Sequence, residues 1–397
     1  MEQWITDDYY GSEYNFLKEI RDTFDLPKSV RFHDATLRDG EQTPGVVFTK
    51  EKKVEIAKLL DELGVDRIEA GMPTVSDEDF EAIKEIVALK LKAEIMLFSR
   101  AMEVDIDKAV EAKVDGLILE VPSGYPRVVN QFPQWSFDDV IKNSVKAVKY
   151  AKSKGLYITF FPYDTTRAKP DFLEALYTAV VKEAKADAVA VIDTIGCALP
   201  QSIYYMVKKV RSWVNVPVEI HTHNDFGMGI ATTLAAVQAG AQVVHGCVTG
   251  LGERTGNSAL EQIAMGLRCL MGMDINLDLT KLYPVCKRVS ELSNVPIPIN
   301  APVTGDVAFA REIGLGAKLF KTSPTTIFPV NPAMLGRTPR IVLGKKSGKD
   351  SIKIKLDEYN LSYDDALVAK LVNEVKLAGI RKGTYLTDEE FLKIYHG

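Results

Sequence analysis

From about residue 30 the chain alternates short β-branched runs with longer amphipathic segments, and it does so eight times. "VRFHDATL" (30–37) precedes "TKEKKVEIAKLLDELG", where Val54, Ile56, Leu59, Leu60 and Leu63 fall on one helical stripe. "DRIEAG" (66–71) precedes "SDEDFEAIKEIVALK", with Ser76 as N-cap and acidic residues in the first turn. "AEIMLFS" leads to "DIDKAVEAK", "GLILEVP" to "FDDVIKNSVKAVKYAKSKG", and "LYITFFPYD" to "PDFLEALYTAVVKEAKA". "AVAVIDT" leads to "PQSIYYMVKKVRSWV", "PVEIHTH" to "GIATTLAAVQAGA", and "QVVHGCV" to "NSALEQIAMGLRCLMG". Apolar strands that alternate with helices imply a parallel sheet, and eight such units imply an α/β fold closed into a (β/α)8 TIM barrel. A doubly wound open sheet fits less well, since no glycine-rich dinucleotide fingerprint follows the first strand.

The alternation divides the chain into an N-terminal extension (1–29), a barrel (30–275) and a C-terminal part (276–397). The extension is expected to form a helix outside the barrel. "LSNVPIPINAPVTGD" reads as a linker, "VLGKKSGKDSI" as a loop, and "SYDDALVAKLVNEVKLAG" as a helix of a small, mainly helical appendage. A net charge of −5 leaves no basic excess for a phosphate backbone, so nucleic acid is not an expected partner. No apolar run approaches the ~20 residues that cross a bilayer, and "MEQWITDDYYGSEYNF" has no signal-peptide pattern. Cys197, Cys247, Cys269 and Cys286 are dispersed, which reads as reduced thiols of a cytoplasmic protein.

The active site of such a barrel lies at the C-terminal ends of its strands. Read in order, those ends carry Arg38 and Asp39, then Glu69, Tyr163 and Asp164, Asp193 and Thr194, His221 and His223, and Glu253, Arg254 and Asn257. Side chains alternate along a strand with period two, so His221 and His223 face one way. With Asp39 they supply two nitrogens and an oxygen, a donor set suited to a divalent ion such as Zn, Mn or Mg with positions left open for a chelating substrate. An ordinary hydrogen-bonded histidine pair is the plainer alternative, and a salt bridge closing the barrel is the plainer alternative for Arg38. The four cysteines read as mostly buried structural thiols, "GLGERTGN" as a turn with weak resemblance to a phosphate loop, and "GKKSGK" as a solvated basic loop.

"DATLRDGEQTPG", "RIEAGMPTVS", "IDTIGCALP", "HTHNDFGMGIATTLAAVQAGA" and "GLGERTGNSALEQ" together resemble the DRE-TIM metallolyase family, and within it the isopropylmalate, homocitrate and citramalate synthases. The resemblance covers residues 30–275 closely and the tail more loosely. It implies a divalent metal held by Asp39, His221, His223 and Asn257, and a 2-oxo acid chelating that metal. Arg38 would polarise the ketone, Glu69 would shape the pocket and serve catalysis, and Thr194, Gln42 and Arg167 would bind substrate. An acyl-CoA, usually acetyl-CoA, would be enolised and attack the ketone, giving CoA and a 2-hydroxy dicarboxylic acid, in a homodimer.

One part of the pattern departs. The family's tail carries a catalytic His in a Gly-Ile-His context and a Tyr nearby, but "FAREIGLGAKLF" places Gly316 at the His position, and the Tyr position falls near Ile327. An acidic residue common at the end of strand five is Tyr163 here. Tyr163 or a carboxylate such as Glu312 is then expected to move the proton. The alternatives are a retro-aldol or retro-Claisen lyase acting on a related hydroxy acid, or a relative that binds metal and oxo acid without turnover. The strand-eight loop lacks the cysteine of the hydroxymethylglutaryl-CoA lyases, which argues against that branch.

Overall fold

The computed structural model describes residues 4–314, 316 and 319–397; Leu315, Ala317 and Lys318, within the departing tail stretch, lie outside the described residues. Runs of Val, Ile, Leu and Phe form the strands β1 (Arg31–Asp34), β2 (Arg67–Glu69), β3 (Glu94–Arg100), β4 (Gly116–Pro122), β5 (Tyr157–Tyr163), β6 (Ala188–Asp193), β7 (Val218–Thr222) and β8 (Val243–Gly246). They pair in sequence order, and β8 returns to β1 with Arg31 opposite Val243 and Asp34 opposite Gly246, which closes the expected eight-stranded barrel. β3 to β6 are mostly apolar, whereas β1, β2, β7 and β8 bury His33, Arg67, Glu69, Glu219, His221 and His245. The interior is a packed core in which Met96, Phe98, Ile118, Phe161, Ala190 and Ile192 meet.

Around the barrel run α1 (Lys18–Arg21), α2 (Lys50–Leu63), α3 (Asp77–Ala88), α4 (Glu103–Ala112), α5 (Tyr125–Gln131), α6 (Phe137–Ser153), α7 (Pro170–Lys182), α8 (Pro200–Trp213), α9 (Gly229–Gln238), α10 (Leu260–Met265) and α11 (Leu279–Ser293). Ser76 caps α3 as its sequence predicts, accepting the Asp79 N–H at 3.0 Å. Ser136 and Asp139 form a reciprocal capping box that starts α6. Among the described residues of the extension, the helical pieces are a 3-10 turn (Glu13–Phe16) and the four residues of α1, in place of the longer helix expected. Here Arg21 ties the chain to the barrel instead, donating to the Met271 carbonyl at 3.0 Å and stacking on Phe16 and Phe24. α5 and α11 lie in stretches where the sequence pattern pointed to no particular element. α11 buries Leu282, Val285, Cys286, Val289 and Leu292 despite Pro284 in its first turns.

The chain forms two compact units, Glu13–Pro296 and the residues up to Ser12 together with Ile297–Gly397. The second contains the parallel pair β9 (Ala310–Arg311) and β10 (Arg340–Ile341), the short α12 (Leu319–Thr322), and α13 (Lys349–Glu358), α14 (Asp365–Lys382) and α15 (Asp388–His396). Leu356, Leu371, Val375 and Phe391 are buried in it. The basic "GKKSGK" loop is folded rather than loose: Gly344 N–H donates to Ser347 Oγ at 2.9 Å, and Lys346 N–H to Glu312 Oε1 at 2.7 Å. No helix among the described residues is long and apolar enough to cross a membrane.

Candidate active site

The end of β7 is fixed from behind. Thr222 points away from the interior and joins Ser258 at 2.7 Å and Thr233 at 2.9 Å in a buried hydroxyl cluster. Its neighbours His221 and His223 therefore point inward, as period two requires. Asn224 follows and accepts the Gly229 N–H at 3.0 Å, turning the chain into α9. Across the interior, the loop after β1 brings Asp39 to the same place.

Three donor atoms converge there. His221 Nε2 and His223 Nε2 lie 3.2 Å apart, and Asp39 Oδ2 is 3.2 Å from the first and 3.6 Å from the second. Those separations are the edges expected among ligands bonded at roughly 2.0–2.2 Å to one ion. Asp39 Oδ1 and the Nδ1 atoms of both histidines are buried without a hydrogen-bond partner, as are the Nδ1 atoms of His33 and His245 deeper in the barrel. Asp39, His221 and His223 are also the one group of metal-competent side chains found among the described residues.

The charge states suit a cation. Burial pushes His221 down to about 4, outweighing its hydrogen bond to the Asp39 carboxylate, so the neutral ring keeps one nitrogen lone pair at neutral pH. Burial works to raise Asp39. The Arg38 charge and the histidine hydrogen bonds win, and its carboxyl sits well below the usual range. Asn257 reaches the site through a backbone bridge to His223, while its Nδ2 donates to the Leu251 carbonyl at 3.1 Å. Gly252 and Gly256 in the "GLGERTGN" loop make this turn possible. Both have positive φ, and a Cβ on Gly252 would collide with the Asn257 side chain. Arg254 in the same loop is a strut: it pairs with Asp225 at 2.8 Å and donates to the Thr194 carbonyl at 2.6 Å.

Arg38 is held in one pose. Its Nε donates to Glu69 Oε1 at 2.6 Å, its Nη1 lies 3.1 Å from Asp39 Oδ2, and its plane rests 4.3 Å from the Phe98 ring centre. Glu69 is fully buried; burial would raise it, yet Arg38 and His33 hold it at about 2. Its carboxylate is spent on Arg38 and on His33 Nε2 at 3.1 Å. Thr194 Oγ1 accepts the Asp164 N–H at 2.9 Å, and Asp164 in turn grips Arg167 at 2.7 Å. Gln42 ends a 3-10 turn (Gly40–Gln42) and is exposed. Tyr163 is half-buried under Arg127, which stands 4.4 Å over its ring, and burial pushes its hydroxyl up. Cys247 is buried with its thiol driven well up by burial, so no activated thiolate lies under the site.

Several interior residues escaped the sequence reading. His33 and His245 stack at 4.1 Å beneath the metal-competent trio, and Glu219 joins His245 at 2.7 Å to Arg67 at 2.7 Å. Glu120 projects at the end of β4, on the parity of Ile118. That parity was the available signal: Glu219 precedes His221 by two on β7, and Glu120 follows the core residue Ile118 by two.

The chain matches two family models in succession, "HMGL-like" over residues 29–289 and "Homocitrate synthase post-HMGL domain-like" over residues 303–382. It is 38% identical over 379 residues to a homocitrate synthase of Methanopyrus kandleri, covering 96% of this chain and 95% of that one. It is 43% identical over 365 residues to the (R)-citramalate synthase of Methanocaldococcus jannaschii, covering 92% and 74% respectively. With the 2-isopropylmalate synthase of the same organism the identity is 37% over 385 residues, covering 96% and 74%. The HMG-CoA lyase of Bacillus subtilis shares the barrel at a TM-score of 0.62 and 20% identity, over 69% of this chain and 96% of that one. The convergent donors at the mouth, Arg38 beside them and these likenesses agree: the chain belongs to the DRE-TIM metallolyase family and is one of its acyltransferases, which convert the acyl group to an alkyl group on transfer.

Proposed function

We propose that the protein condenses an acyl-CoA, acetyl-CoA in the first instance, with a 2-oxo acid to give a 2-hydroxy dicarboxylic acid and CoA, in amino-acid biosynthesis. The observation that carries this reading is the convergence of donor atoms of Asp39, His221 and His223 to within 3.6 Å of one another, with Arg38 locked beside them. Asp39, His221, His223 and Asn257 would hold a divalent ion (Zn, Mn or Mg), which when bound supplies a Lewis acid to the oxo acid's carboxylate and ketone. Arg38 is aimed so that its guanidinium meets the negative charge that develops on the ketone oxygen during attack, and Glu69 keeps it there. Thr194 and Arg167 frame the rim at the ends of β5 and β6, where the acid's remaining groups would lie. Gln42 would contribute from the β1 side. We also propose a homodimer, on the family resemblance alone.

Thiol release from acetyl-CoA tests this reading. It is expected only when a divalent ion and one of pyruvate, 2-oxoisovalerate, 2-oxoglutarate or oxaloacetate are both present. No release with any of them would sink the condensation. Formation of a 2-oxo acid from the corresponding hydroxy acids would then point to the cleavage reaction.

A further inference from the structure

Condensation needs a group that takes a proton from the acyl-CoA α-carbon. The mouth's other carboxylates are committed. Asp39 belongs to the donor trio, Glu69 to Arg38 and His33, Asp164 to Arg167, Asp225 and Glu253 to Arg254. Asp193 accepts the N–H groups of Cys197 and Ala198 and the Thr166 hydroxyl. Tyr163 moves the wrong way for a base, since burial makes it harder to ionise. Glu312 accepts a backbone N–H in the second unit, and Gly316 carries no side chain.

Glu120 differs from all of these. It stands level with Phe161 of β5, a core ring that also touches His221. Its carboxylate is half-buried and makes no hydrogen bond or ion pair with any described residue. Burial pushes its carboxyl up; the charges of Arg38, Arg127 and Arg100 oppose that, and Glu253 adds to it. Beside it opens a cleft of about 830 Å³, lined by apolar side chains such as Ile106, Phe132 and Trp135 and by charged ones such as Arg100, Arg127 and Lys146. That volume is of the size that takes a small organic ligand.

We propose that Glu120 is the proton acceptor of this enzyme: an unpartnered carboxylate at the inward end of β4, level with Phe161 and next to an open cleft. The inference rests on the condensation reading. Glu120 removes a proton from the acyl α-carbon; the C–H pair becomes the C=C bond of the enolate, and the thioester C=O π pair moves to its oxygen. The enolate returns to the thioester as its carbon forms the new C–C bond to the ketone carbon, whose π pair moves to oxygen beside Arg38 and takes up a proton from solvent. Water then cleaves the C–S bond, its oxygen joining the new carboxylate, one of its protons the CoA thiol and the other passing to solvent. Protonated Glu120 returns its proton to solvent.

The test compares full-length wild type, Glu120→Gln and Glu120→Asp with saturating divalent metal, the accepted oxo acid and acetyl-CoA. Glu120→Gln is expected to lower kcat by about 10²–10⁴-fold with the oxo-acid KM within about threefold, a change in binding too small to account for such a loss. Glu120→Asp should recover part of the loss. Oxo-acid-dependent thermal shifts in both variants report that the site is folded. Wild-type turnover with Glu120→Gln equally active, or with its loss confined to KM, would overturn the assignment and leave the condensation standing. No wild-type thiol release would overturn both.

Discussion

The barrel interior holds two imidazole pairs, and they are built on opposite accounting. Near the mouth, His221 and His223 share one oxygen of Asp39, and their Nε2 atoms face each other at 3.2 Å. Deeper in, His33 and His245 stack at 4.1 Å, but each has its own carboxylate, Glu69 at 3.1 Å and Glu219 at 2.7 Å. Glu219 is further satisfied by Arg67 and by the Thr159 hydroxyl at 3.0 Å. In the lower pair each imidazole has its own acid at Nε2, with a guanidinium to balance the charge, while Nδ1 of both rings is buried without a partner as in the upper pair. The upper pair turns both Nε2 atoms and one oxygen of a single acid toward one point. Histidines in a barrel core thus make a candidate metal site through the convergence of their donor atoms; burial alone does not make them one.

The most direct way to break that comparison is to empty the upper pair and then the lower. Asp39→Ala should reduce bound divalent metal from near-stoichiometric to background by elemental analysis. Activity should fall on the order of 10³-fold, since the Lewis acid contributes several kcal/mol. His245→Asn should leave metal content near wild type. Equal loss of metal in both variants would erase the distinction. The lower pair should instead show itself in stability. Glu219→Gln leaves Arg67 and His245 buried without their shared anion, and removing one partner of a buried pair costs roughly 3–5 kcal/mol. Urea unfolding reads that loss, and metal content should stay unchanged. A stable Glu219→Gln protein would show that the lower network is not what holds the barrel's centre.

The difference between the pairs also marks what the sequence made legible. The upper pair is local: His221 and His223 share a strand, and parity alone aims them inward. Asp39 and Arg38 sit at a strand end, where a barrel keeps its chemistry. The lower pair depends on which residue of β1 faces which residue of β8, and that register follows from closure of the whole barrel. No local spacing announces that Glu69 will divide itself between Arg38 and His33. Likewise the eight strand–helix units were visible because periodicity is local. The extension was misread because its short pieces are held by contacts 250 residues away, as Arg21 is to Met271. α11 was obscured by Pro284 and by the linker-like segment that follows it.

The smallest expected effect separates the pairs by pH. Burial holds His245 at about 4, below the 6.5 of an exposed imidazole, with His33 adding to the shift against the pull of Glu219. Between those values the unfolded chain binds a proton that the folded chain refuses. Stability therefore falls as pH drops from 6.5 toward 4, by up to about 1.4 kcal/mol per pH unit for this one group. Glu219 acts in the other window. Burial would raise it, but His245 and Arg67 hold it at about 2, so its contribution is present above 4.5 and is lost as pH falls from there toward 2. Buried Asp34 and Glu261, each pushed up by burial to about 7, slope the other way in this range. The difference between wild type and His245→Asn in urea unfolding across pH 4.5–6.5 therefore isolates the His245 part, and the two curves should differ by close to one proton. His221, also held at about 4, adds a slope of the same sign. That slope alone should steepen when divalent metal is added, because protons and metal then compete for the same lone pair. If added metal changed the part of the slope removed by His245→Asn, the lower pair would be coupled to the ion, and the two pairs would have to be treated as one site.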